Sequence, residues 1–368
     1  MRRMSRSGIG STAGFGLGAF SRDELDTIHY ATLQIFQDTG IKVMNEEALE
    51  IFHGGGCDVE RFKGYGIVKI PSYVVEECAF WAPHSIVYDA CDPVKDYLAE
   101  PNRVGFTTFG GCINVVDPHT RKIRRATKKD CGEIARVCDY LDELCVVTRS
   151  VNSTDVQAGA LSVHNLDALL RNTGKHIFLG VDSPRSLEVM IELASAATGG
   201  RDNFIKRPNF TPSICPISPL TLPDNSCNVI INSARSGLGV LVLPMALSGG
   251  TSSATLAGTL VTHNTEVLSG IILAQLTKKG VPCTYGSTST ILDLRFGTSA
   301  IGSPEYGMIN ASIAKLAQYY RLPCYVGGGA SDSKIPDTQC GYEFTLSATL
   351  SALAGGNIVF GAGVMEQG

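Results

Sequence analysis

Charge is scarce in this 368-residue sequence: Asp, Glu, Lys and Arg make up 18%, and 31 basic residues against 35 acidic ones leave a net −4. A protein that tracks phosphates or an anionic bilayer needs a cationic surplus, which excludes nucleic acid and membrane surfaces as the main partners. Tryptophan occurs once, at Trp81, which does not suit a membrane-interface belt or a lectin-like surface. No apolar stretch is long enough to span a bilayer; the run at 238–247 is among the longest and is broken by Gly and Pro. The N-terminus is basic, but residues 14–20 are Gly-rich and do not form a signal-peptide core. The twelve cysteines contain no C-x-x-C pair and are scattered from Cys57 to Cys340, so they read as reduced, buried thiols of a cytoplasmic protein. What is abundant is apolar material, 44%, and glycine, 40 residues, which together suit a large core with many tight turns.

Residues 1–103 read as a Gly/Ser-rich arm, mobile or clamping, followed by an α-rich extension. Ser21 with Glu24 three positions on forms a capping box for a first helix that Gly40 ends. A short helix follows near 46–52, then an edge strand at 68–71 and a helix over 72–81. From 104 to 368 the rhythm changes to alternating strands and helices. The spacing predicts strands at 104–109, 144–151, 176–180, 209–215, 239–244, 281–286, 323–327 and 357–361. Helices are predicted at 128–141, 155–172, 184–197, 223–236, 252–278, 304–320 and 338–353, with a hairpin at 114–125. Eight strands joined by helical crossovers is the count of a (β/α)8 TIM barrel in the α/β class. The doubly wound alternative lacks a G-x-G-x-x-G after its first strand. A helix to cover the eighth strand is missing before Gly368, so the chain reads as C-terminally truncated, with Val359 or its neighbours left open to water.

Barrel active sites lie at the C-terminal ends of the strands. After the seventh strand come Gly327-Gly328-Gly329-Ala330-Ser331-Asp332-Ser333-Lys334, then Asp337, Gln339 and Glu343. The glycines allow close backbone approach to a ligand or simply a tight turn. The carboxylates suit a cationic substrate or acid–base work, although Asp337 is equally placed to cap the helix at Thr338. Lys334 reads as a Schiff-base lysine or, more plainly, as an ion-pair partner of Asp332 or Asp337. His263, Asn264 and Glu266 interrupt an apolar helix and are costly to bury unless they bond each other or a ligand. Phe109, Tyr285, Phe296, Tyr306 and Tyr342 lie near strand ends, where aromatic faces could enclose a quaternary ammonium. No zinc, P-loop, nucleophile-elbow or kinase pattern occurs, and Cys131, Cys138 and Cys145 recur as buried small residues would.

Four blocks carry a family resemblance: 23–32, 256–270, 325–343 and 353–363. They resemble the trimethylamine methyltransferase superfamily, over essentially the whole chain. The resemblance implies a (β/α)8 barrel that moves a methyl group from a methylated amine to the Co(I) of a partner corrinoid protein, as in one-carbon metabolism and methanogenesis. It implies no metal or tightly bound cofactor in the chain itself, since the cobalt corrinoid comes with the partner; a homo-oligomer is left open. Trimethylamine-specific members carry pyrrolysine directly before the Ser-Asp pair, and here that position is Ala330. A quaternary amine leaves as a neutral tertiary amine and needs no covalent activation, so an Ala330 enzyme is expected to use glycine betaine, proline betaine or carnitine. On this reading Asp332, Glu343 and Glu266 line a quaternary-ammonium cavity, Tyr285 or Tyr306 is its aromatic wall, Ala330 and Ser331 belong to its loop, and His263 and Gln339 orient the substrate's tail. The alternatives are trimethylamine methyl transfer despite Ala330, an inactive truncated homologue that only binds the corrinoid partner, and, more distantly, an aldolase using Lys334.

Overall fold

The computed structural model describes residues 16–101 and 103–366. Eight strands, β1 (Gly105–Thr108), β2 (Val147–Thr148), β3 (Ile177–Gly180), β4 (Phe210–Ile214), β5 (Val240–Val242), β6 (Cys283–Gly286), β7 (Cys324–Gly327) and β8 (Ile358–Ala362), form one parallel sheet in the order β1-β8-β7-β6-β5-β4-β3-β2. A parallel bridge between Phe106 and Leu144, with the Cys145 N–H donated to the Phe106 carbonyl at 2.9 Å, joins the two edges and closes the (β/α)8 barrel. The crossover helices are α1 (Lys128–Tyr140), α2 (Leu161–Leu170), α3 (Pro184–Ala197), α4 (Asp224–Ser236), α5 (Leu256–Thr277), α6 (Pro304–Tyr319) and α7 (Thr338–Leu353). Their starts are set locally. Thr127, Ser183, Thr255, Ser303 and Asp337 each accept a backbone N–H from the first turn, and Pro184 and Pro304 follow two of these caps.

Alternation along the strands gives an inner and an outer core. The inner one stacks Phe178, Leu241, Tyr325, Ile358 and Phe360, with the Tyr325 hydroxyl bonded to Thr148 Oγ1 at 2.8 Å. A hairpin of Ile86–Tyr88 and Tyr97–Ala99 plugs the N-terminal end: Tyr88 reaches Thr284 Oγ1 at 2.7 Å and Tyr97 donates to the Asn357 carbonyl at 2.6 Å. That leaves the C-terminal mouth as the open end.

The first hundred residues hold more strand than the sequence suggests. Ile41–Val43 pairs with Tyr65–Lys69, which is a central strand and not an edge, and Tyr65–Lys69 pairs with Asp58–Phe62; Ile41–Val43 also pairs in parallel with Thr221–Leu222 of the loop after β4. Helices Arg22–Gln34, Glu46–Gly54 and Ser72–Trp81 pack on the outer side of α5, which is therefore buried all round. Residues 1–15 of the expected arm lie outside the described residues; its end is pinned by Leu17, whose N–H is donated to the Leu353 carbonyl at 2.9 Å. The expectation that Val359 is open to water is corrected. Val359 is 1% exposed, because it packs beside Val326 and the glycines at 328 and 356, under α7. Among the described residues no helix is long and apolar enough to cross a membrane.

Candidate active site

At the mouth, the loops after β7 and β8 pair with each other, Ala330–Ser331 alongside Val364–Met365. The turn into this pairing needs glycine for packing. A Cβ on Gly327 would overlap the Tyr306 hydroxyl, and one on Gly328 would press on Val359 and α7, so the close approach is to the protein itself. Ala330 is fully buried against Ile301, Tyr306 and Val364.

Glu343, on α7, organises the loop. One carboxylate oxygen accepts from Ser331 Oγ at 2.6 Å and from the Asp332 N–H at 2.8 Å, and the other accepts from Gln339 Nε2 at 2.9 Å. Asp332 in turn accepts the Ile301 and Gly302 N–H groups at 3.1 and 2.9 Å. Burial raises the Asp332 pKa against those two bonds, and the nearby Glu343 and Glu366 carboxylates add to the rise. Neither Asp332 nor Glu343 has a cationic partner among the described residues. Lys334 pairs with Glu366 at 2.7 Å instead of with Asp332 or Asp337, and that bond raises its pKa, the opposite of what a Schiff-base lysine needs. Asp337 caps α7 through the Cys340 N–H.

Asp332 lines a cleft of about 1240 Å³. Its walls are the hairpin of Asn114–Val116 and Ile123–Arg125, a second hairpin of Thr290–Asp293 and Thr298–Ala300, and the loops after β7 and β8. Arg124 pins the first hairpin by bonding Asp117 at 3.1 Å and both oxygens of Asp130 at 2.7 Å. Phe109 links cleft and barrel: it lines the cleft and packs on Phe360, centroids 5.9 Å apart, which stacks on Tyr325 at 4.6 Å. Phe296 also lines the cleft, whereas Tyr342 is exposed on α7.

The structure thus brings Asp332, Glu343, Ser331, Gln339, Ala330 and Tyr306 together. It does not bring His263, Glu266 or Tyr285 to them. Tyr285 points out of the barrel and donates to Asn264 Oδ1 at 2.6 Å; His263 Nε2 lies 3.0 Å from the Gly286 carbonyl, and burial lowers its pKa to about 4. Glu266 clamps the loop after β4 by accepting from Ser218 Oγ at 2.8 Å and the Leu220 N–H at 3.0 Å. Polar residues in an apolar helix look alike in sequence whether they serve a ligand or a second protein layer. Cys131 and Cys138 are buried, their thiols pushed up to about 12 and about 11.

The Glu266 clamp carries a pH signature. Burial lifts its pKa to about 7, so the folded protein binds a proton that the unfolded chain, near 4.5, has already lost. Stability from this group is full below about 4.5 and is lost as pH rises through about 7. Glu266→Gln preserves the shape and removes this dependence. Between pH 5 and 8 wild type should lose about 2 kcal/mol more unfolding free energy than the variant, read from denaturant titrations.

Sequence reasoning missed one group at the mouth. Arg149, one residue past β2, extends its guanidinium beside Gly111 and Gly180 with no hydrogen bond or ion pair to it among the described residues, and its Nε is buried. Its only sequence signal is a basic residue in the run Cys145-Val146-Val147-Thr148-Arg149.

Comparison with known proteins agrees on one family. The model for trimethylamine methyltransferase matches residues 15–368. A trimethylamine methyltransferase of Desulfitobacterium hafniense is 46% identical over 368 residues, all of this chain and 74% of that protein. One from Methanosarcina barkeri is 42% identical, covering 98% of this chain and 74% of its own. A glycine betaine methyltransferase of D. hafniense is 29% identical over 94% of this chain and 72% of that protein. The crystal structure of the M. barkeri monomethylamine methyltransferase shares the fold, with TM-score 0.54 at 10% identity over 95% of this chain and 75% of that one.

Proposed function

Because the chain belongs to the trimethylamine methyltransferase family, we propose that its barrel mouth transfers a methyl group from a quaternary amine, such as glycine betaine, to the Co(I) of a corrinoid carried by a partner protein. That it is a methyltransferase follows from the family. The observation that carries the finer reading is Asp332, a carboxylate that lines the cleft and whose N–H is donated to a second carboxylate, Glu343, with no protein cation among the described residues to neutralise either. A fixed ammonium is their natural counterion, and Phe109 offers it an aromatic face.

The cobalt supplies the nucleophile: a Co–C bond forms from its electron pair, the C–N bond breaks, and those electrons stay on the departing tertiary amine. No proton moves. The chain's residues are left with orientation and water exclusion. Glu343 fixes the loop, Asp332 meets the cation, and Gln339 and Ser331 hold Glu343 in place. The cleft exceeds the roughly 300–1,000 Å³ of ordinary small-molecule pockets. With exposed Ile113, Ile123 and Phe296 on its walls, it supports docking of a second, larger reactant at the mouth. Twelve free thiols suit a reducing cytoplasm.

The 46% identity to a trimethylamine methyltransferase favours trimethylamine as the second reading. The test follows the absorbance of methyl-Co(III) formed from Co(I) corrinoid protein with glycine betaine, carnitine, proline betaine, choline and trimethylamine. Methylation from a quaternary donor and none from trimethylamine is the expected result. Transfer from trimethylamine would overturn the argument from Ala330, and silence with every donor would leave only a corrinoid-binding role.

A further inference from the structure

Two polar side chains at the end of β3, Arg149 and Ser213, make no hydrogen bond among the described residues. Alternation turns Phe178 and Gly180 into the barrel, and Thr211 and Ser213 on neighbouring β4 with them. Gly180 leaves a gap there. A Cβ at that position would meet Arg149 Nη1 at 3.8 Å, Ser213 Oγ at 3.9 Å and the Ser213 carbonyl at 4.0 Å. Neither the Arg149 guanidinium nor the Ser213 hydroxyl has a hydrogen-bond partner among the described residues. On the other side of Arg149, a Cβ on Gly111 would come within 3.0 Å of Nη2. Asn152, beside Gly111, donates to the Gly111 carbonyl at 3.1 Å while its buried Oδ1 is left without a donor. The nearby carboxylate, Asp182, is engaged elsewhere, accepting the Ser162 N–H at 2.7 Å, and makes no ion pair with Arg149.

Arg149 is partly buried, its Nε is shut off from water without a partner, and the planar fork of a guanidinium matches a carboxylate. Resting on the methylated-amine reading above, we propose that Arg149, with Ser213 and the gap at Gly180, binds the carboxylate of the methyl donor, which makes the preferred substrates zwitterions: quaternary amines with an acidic tail. The site then has two poles. Asp332 and Glu343 receive the ammonium, and Arg149 receives the carboxylate across a mouth floored by Phe109, Phe360 and Tyr325. Ser150, next to Arg149, lines the same cleft as Asp332. Tetramethylammonium, choline and trimethylamine satisfy one pole only.

The test pairs direct binding with turnover. Calorimetry of the chain with glycine betaine, carnitine and tetramethylammonium needs no corrinoid, and methyl transfer to the Co(I) corrinoid protein is measured separately with the same donors. The ratio of affinity for glycine betaine over tetramethylammonium should fall at least about 100-fold in Arg149→Gln, the scale for truncating a desolvated charge pair, and should be partly restored in Arg149→Lys. Gly180→Ala makes only ordinary van der Waals contacts, so it keeps the fold while filling the gap, and should lower the same ratio about tenfold. Equal wild-type affinity for tetramethylammonium and glycine betaine, or an equal loss for all donors in Arg149→Gln with unchanged melting, would overturn the proposal. Transfer from choline or trimethylamine but not from the carboxylate donors would overturn it and leave the methyltransferase assignment standing. Arg149-dependent glycine betaine binding without transfer would uphold it and count against the proposed reaction.

Discussion

Glu343→Ala is expected to lower methyl transfer at least about 100-fold, the scale of losing the alignment of a reacting group by about 1 Å. One carboxylate accepts from the Ser331 hydroxyl, the Asp332 N–H and Gln339, so it fixes both the loop after β7 and the residue proposed to meet the ammonium. The segment around Gly302 is shaped to it as well: a Cβ at Gly302 would overlap the Glu343 carboxylate and lie 2.8 Å from the Asp332 nitrogen. With Glu343 gone, Asp332 is held from one side alone, by Ile301 and Gly302, and its own N–H loses its acceptor. Glu343→Gln separates geometry from charge. Its amide oxygen can accept both bonds of the Ser331–Asp332 side while Gln339 turns its amide to suit. Only the charge is lost, and a partly exposed charge contact of about 1 kcal/mol predicts a rise of up to about fivefold in KM for a cationic donor with kcat nearly kept. Initial rates from the methyl-Co(III) band, at saturating and limiting donor, give both numbers. An alanine variant as active as wild type would remove Glu343 and Asp332 from the site.

Local chemistry made the barrel helices readable. The starts of α3, α6 and α7 are fixed by Ser183-Pro184, Ser303-Pro304 and Asp337, signals that act within one turn. The strands were visible as apolar runs but not their lengths. The run at 144–151 keeps a ladder only over Val147–Thr148, with single parallel bridges at Leu144 and Val151, because past Thr148 its backbone pairs with Gly111 and Cys112 of the loop after β1. The small N-terminal sheet was hidden for a different reason. Asp58–Phe62 is largely exposed and charged, and Ile41–Val43 has three residues whose second partner, Thr221–Leu222, comes from the far side of the barrel sequence. The strand-end rule located the Asp332–Glu343 cluster, since it depends on topology alone. It gave no way to tell which face of α5 meets the barrel, because a helix covered on both sides has no amphipathic period. Hence the sequence does not separate His263 and Glu266 from site residues, while the fold uses them in the wall; Tyr285, on β6, follows them there because its hydroxyl points outward to Asn264 of α5.

That wall makes the second large prediction, at Asn264. Asn264→Leu is expected to cost about 3–5 kcal/mol of unfolding free energy, among the largest single-residue effects, because a fully buried hub loses its centre. Its Nδ2 donates to Thr32 Oγ1 at 2.8 Å and to the Tyr320 hydroxyl at 2.9 Å, and its Oδ1 accepts from Tyr285 at 2.6 Å. Three layers meet there: the N-terminal helix, the turn after α6 and the barrel strand β6. Thr32 keeps its bond to the Ile28 carbonyl and Tyr320 its contact with His29 Nδ1, both at 2.9 Å. The Tyr285 hydroxyl, buried at 0% exposure, has no replacement acceptor and bears most of the cost. Adding Tyr285→Phe to Asn264→Leu removes that orphan, so the double variant should regain about 1–3 kcal/mol over the single one, an interaction energy that a thermodynamic cycle from denaturant titrations isolates. If the two losses simply added, Asn264 would be a packing residue and not the polar tie between the N-terminal layer and the barrel. If instead the single variant unfolded in two steps, with the helix Arg22–Gln34 lost first, the hub would be what makes extension and barrel one cooperative unit.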